Sequence, residues 1–93
     1  MGRLKGLDHA TKLLEAVYDT IANATDGNVV ETVLNRLRQV LQEARFMSHP
    51  GAATHPKWAQ WATVCEMTED AMQAAVSKQL LLATAAAVAR RVY

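Results

Sequence analysis

Apolar residues recur every three to four positions along most of this chain, which is the period of an amphipathic helix. Leu13, Leu14, Val17, Tyr18 and Ile21 form a first stripe. Val30, Val33, Leu34, Leu37, Val40, Leu41 and Ala44 form a second, and Glu31, Arg36, Arg38, Gln39, Gln42 and Glu43 occupy the opposite face. A third segment begins near Lys57. Its polar face carries Lys57, Gln60, Thr63, Glu66, Asp70, Gln73 and Ser77, and its apolar face carries Trp58, Trp61, Cys65, Met72, Val76 and Leu80. The pattern predicts an all-α chain: a helical hairpin followed by one long C-terminal helix, forming a helical bundle as a dimer. The helices are expected at about 8–23, 28–47 and 56–92, in a single domain.

The punctuation agrees with those limits. Asp8 is the expected N-cap of the first helix, where a carboxylate accepts bonds from the free amides of the first turn. The Asn23–Gly27 cluster stops that helix, and its shortness makes helices one and two an antiparallel hairpin. Asn28 is the expected cap of the second helix, with Glu31 three residues on completing a capping box. Ser48–Pro56 is the long loop. Each of its prolines follows a histidine, which biases His49 and His55 towards extended backbone. Thr54 or His55 is the expected cap of the third helix, with Pro56 in its first turn.

The pattern fails in one place. Leu80 to Ala89 reads LLLATAAAVA, in which only Thr84 is polar. A helix that is apolar all round is buried all round, and this chain has only two other, shorter helices with which to cover it. The missing cover must come from a second copy or from a different protein. Small side chains favour that, because they let helix backbones approach closely.

Composition narrows the setting. In 93 residues, 51% are hydrophobic but only 5% aromatic, so the core is thin. The formal charge of +1 is evenly spread: residues 1–56 hold six basic and six acidic side chains, and residues 57–93 hold four and three. Electrostatic capture of nucleic acid or an anionic membrane has no evident source in such a balance. One cysteine excludes an internal disulfide framework and suits a reducing compartment. MGRLKGLDHA has basic residues but no apolar core, so it does not read as a signal peptide. Leu80–Ala89 is about half the length a bilayer span needs. These features lead us to expect a soluble, cytoplasmic protein.

Candidate chemistry is sparse. Cys65 is the one strong nucleophile, and it sits on the apolar face, where a thiol is poorly reactive. His49, His55 and Cys65 are the only plausible zinc ligands, but no CxxC or HxxxH spacing supports them, and the prolines already explain the loop. His9 reads as a solvated residue. No phosphate loop or catalytic serine signature occurs. We expect no catalytic residues, no metal, no cofactor and no small-molecule substrate. For Trp58 and Trp61 the core reading is favoured over the interface anchor, although Trp is enriched at binding hot spots.

The sequence therefore points to a small non-enzymatic regulator or adaptor acting by protein–protein binding, with itself and another protein as partners. The expected partner or dimer interface is Trp58, Trp61, Met72, Val76, Leu80, Leu81, Leu82 and Val88. The rivals are a structural subunit or chaperone of a larger assembly, and a small nucleic-acid binder using Arg36, Arg38 and Arg45. The layout is similar to small prokaryotic regulators, secretion chaperones and phage-encoded inhibitors, in architecture and not in motif.

Overall fold

The structure, a computed structural model, describes residues 6–49 and 56–92. The described residues form three α-helices and no strand: α1 (Leu7–Asn23), α2 (Gly27–Met47) and α3 (Trp58–Val92). The chain is all-α. Thr54 and His55, the expected cap of α3, lie outside the described residues.

Both observed caps differ from the expected ones. Gly6 precedes α1 with φ 139° and ψ −175°, a conformation that residues with a Cβ rarely adopt. That backbone turn starts the helix at Leu7, so Asp8 falls inside the first turn and makes no side-chain cap bond. It pairs instead with Lys12 at 3.4 Å, both being exposed. In α2 the cap is Asp26, not Asn28: its Oδ1 accepts from the Asn28 amide at 2.9 Å, with Asp26 in extended backbone. The capping box with Glu31 is not formed. We expect Asp26→Ala to cost about 0.5–2 kcal/mol and Asn28→Ala clearly less, read as urea midpoints of the two variants.

α3 runs parallel to α1 and antiparallel to α2. Leu7, Asp8 and Thr11 lie beside Lys57, Gln60 and Val64 at one end. Along α2, Ser48 Oγ is 3.8 Å from Cys65 Sγ, the Arg45 guanidinium is 3.5 Å from Glu69 Oε1, and Gln79 Nε2 donates to Glu31 Oε2 at 2.8 Å. Near the hairpin turn, Lys78 Nζ donates to the Ala22 carbonyl at 3.1 Å. α1 and α2 are therefore antiparallel to each other, with α3 lying along both.

The core follows the sequence stripes in the hairpin. Leu14, Val17 and Ile21 of α1 are buried, as are Val30, Leu34, Leu37, Val40, Leu41 and Ala44 of α2. Leu13 and Val33 are partly buried against them, while Tyr18 is exposed. In α3 the buried seam differs from the apolar face read in the sequence. It runs through Trp61, Val64, Thr68, Ala71 and Ala75, while Val76 and Leu80 are exposed. The reason is steric. α3 contacts both hairpin helices, and small residues at its inner face let it approach both closely. Thr68 is fully buried and returns its hydroxyl to the Val64 carbonyl at 2.7 Å, which satisfies the polar atom within its own helix.

Candidate interaction surface

α3 outruns the hairpin that carries it. It has 35 residues, against 17 in α1 and 21 in α2. Gln79 already lies level with Glu31 in the first turns of α2, and Leu82 is the last α3 residue packed against the core. Beyond it, residues 83–91 are exposed without exception. At ~1.5 Å per residue they project about 13 Å past the hairpin turn. The molecule is correspondingly elongated, 60 × 19 × 17 Å. The helix runs unbroken through residues 69–77, so the tail does not fold back onto the hairpin.

The expected interface residues divide by location. Trp61 is 2% exposed and belongs to the core, so its surface is spent inside the chain and it leaves the interface set. Met72 and Leu82 are half-buried against the hairpin. Trp58, Val76, Leu80, Leu81 and Val88 are exposed. Trp58 stands some thirty residues from Val88 on the same helix, about 45 Å away, so it belongs to a different surface. Val76, Leu80, Leu81 and Val88 remain, all in the C-terminal part of α3, with Leu80 and Leu81 65% and 63% exposed. Large aliphatic side chains this open, continuous with an alanine-rich tail, form an apolar patch of the kind that marks an interaction surface.

That surface has charged margins. Glu66, Glu69 and Asp70 are exposed on α3 before the patch, and Arg90 and Arg91 are exposed after it. A shallow groove between α2 and α3, lined by Arg38, Leu41, Gln42, Arg45 and Met72, runs beside its first part. The face expected to be polar is so: Gln60, Thr63, Glu66, Asp70, Gln73 and Ser77 are all exposed. α3 is also long and apolar enough to cross a membrane by length and composition, a property the ten-residue run alone does not have.

The candidate ligands are not drawn together. His49 is exposed at the end of α2, Cys65 is half-buried in α3, and His55 lies outside the described residues. Among the described residues no group of three metal-ligating side chains occurs. Cys65 has Ser48 beside it and the core behind it. We expect Cys65→Ser to leave assembly intact and to cost about 1–3 kcal/mol at most, with the melting temperature unchanged by EDTA. A drop of many degrees on chelation would revive the histidine and cysteine set.

Compared with known proteins, the chain matches no protein-family model, no curated protein and no solved structure.

Proposed function

We propose that this chain is a non-enzymatic regulator or adaptor that works by protein–protein binding, and that it self-associates through the C-terminal half of α3. One observation carries the reading: the apolar run 80–89 stands in solvent, apart from half-buried Leu82, on a helix that outruns the chain's other helices. A helix end with no polar face is costly to leave in water, at roughly 25 cal/mol per Å² of apolar surface. A partner helix removes that cost. The polar face of α3, with Gln60, Glu66, Asp70 and Gln73, then stays open for a target, in the manner of a small inhibitor or antiactivator in the cytoplasm.

A membrane is the competing cover, since α3 passes the length and composition test. Two contacts argue for protein. Lys78 and Gln79, next to the apolar run, are tied to Ala22 and Glu31 of the hairpin. Inserting about 20 residues of α3, the length a span requires, would break both bonds and carry Lys78 towards hydrocarbon. In a flotation assay with vesicles of neutral and anionic lipid, the detergent-free protein is expected to stay at the bottom of the gradient. Flotation with the vesicles would replace this reading by a membrane-anchored one.

A further inference from the structure

The pairing partner of the α3 tail, and its direction, follow from a stripe that the hairpin leaves uncovered. The docking seam uses positions 61, 64, 68, 71, 75, 78 and 82, of which all but half-buried Lys78 and Leu82 are fully buried. On the flank towards α2, positions 69, 72, 76, 80, 83, 87 and 90 repeat at intervals of three and four and so share one face. They are Glu69, Met72, Val76, Leu80, Ala83, Ala87 and Arg90, and all are exposed except Met72, which is half-buried.

This stripe is complementary to itself only when reversed. Its first half holds an acid and bulky side chains; its second half holds alanines and a base. Laid antiparallel on a second copy, Glu69 meets Arg90, Met72 meets Ala87, Val76 meets Ala83, and Leu80 meets Gln79 beside the two-fold axis. Every one of these pairs belongs to a single register. Bulky residues facing alanines interdigitate at short interhelical distance. The contact is isologous, so each match occurs twice and the assembly closes at two copies. In a parallel pair the same stripe sets Glu69 against Glu69 and Arg90 against Arg90, which repels at both ends.

Resting on the self-association proposed above, the geometry points to an antiparallel homodimer in which residues 69–90 of the two α3 helices pair, each tail lying along the other copy's α3 beside the groove of Arg38, Leu41, Gln42, Arg45 and Met72. The paired length is about 33 Å, or six turns. Glu69 already faces the exposed Arg45 guanidinium at 3.5 Å, and Arg90 of the second copy joins that pair. Leu81 and Val88 lie outside the stripe. They stay on the dimer surface, available to a further partner.

Cysteine crosslinking tests the register. In a Cys65→Ser background, Val76→Cys and Ala83→Cys change exposed positions, so the fold is retained, and circular dichroism checks it. Each single variant oxidised alone with copper–phenanthroline is expected to stay uncrosslinked, because like positions sit about 10 Å apart along the axis. A mixture of the two is expected to give the heterodisulfide in high yield. Efficient crosslinking of either variant to itself would overturn the antiparallel arrangement while leaving self-association standing. A dimer by mass with no crosslink in any sample would place the seam elsewhere. A monomer by mass would remove both proposals. Independently, Arg90→Glu is expected to weaken the dimer several-fold, and Arg90→Lys to retain it. An Arg90→Glu dimer of unchanged affinity would contradict the Glu69–Arg90 contact.

Discussion

Leu80→Asp is expected to turn the dimer into a monomer without unfolding the chain. Leu80 is 65% exposed in the single chain, so an aspartate there meets water and the hairpin core is untouched. In the antiparallel pair the same position lies beside the two-fold axis. Two carboxylates would then be buried near each other, with Arg90, the cation of the seam, ten residues or about 15 Å along the helix. A lone buried charge costs several kcal/mol, and the symmetric repeat adds like-charge repulsion. Each 1.4 kcal/mol is tenfold in affinity, so dissociation should strengthen by at least about a thousandfold. Leu81→Asp, about 100° round the helix from Leu80 and outside the stripe, is expected to leave the mass unchanged. Leu13→Ala removes a half-buried core residue and should lower stability while the chain still dimerises. Size-exclusion chromatography with light scattering separates the three outcomes.

The second large effect belongs to the core. Trp61→Ala is expected to lower stability by about 3–5 kcal/mol, the usual range for truncating a buried aromatic. Trp61 is the largest fully buried side chain, and it seals the end of the bundle where α3 begins. A chain of this length has on the order of 5–14 kcal/mol in total, so the loss is a large share of it. Trp58→Ala, at 41% exposure, should cost about 1 kcal/mol or less, since most of its surface is not withdrawn from water. Urea unfolding followed by far-ultraviolet circular dichroism compares the two at equal chain concentration, because dimerisation makes stability depend on concentration.

The hairpin was legible in the sequence because large aliphatic residues there recur on one face of each helix. The buried residues of α2 are those its period singled out, with Val33 at the margin. Helix starts were less legible. Asp8 and Asn28 have capping chemistry, but Gly6 and Asp26 hold the cap positions, and a chain with several capping residues in a row does not say which one takes the position. The seam of α3 was misplaced for a physical reason. Hydropathy weights Met72, Val76 and Leu80 above Ala71 and Ala75, whereas a helix resting on two others buries its small residues. That displacement also explains why large residues remain outside: they form a second stripe, and a stripe facing nothing in its own chain is the part a single-chain pattern cannot assign. The exposure of residues 83–91, by contrast, follows from counting neighbours: two short helices do not cover a long one.

The most direct test of the central claim is the mass of the intact protein in solution. Sedimentation equilibrium of the detergent-free chain at micromolar concentration should give twice the 10.2 kDa of one chain, 2 × 10.2 = 20.4 kDa. A stable 10.2 kDa species across that range would contradict it, and would mean that the apolar end of α3 meets no second copy.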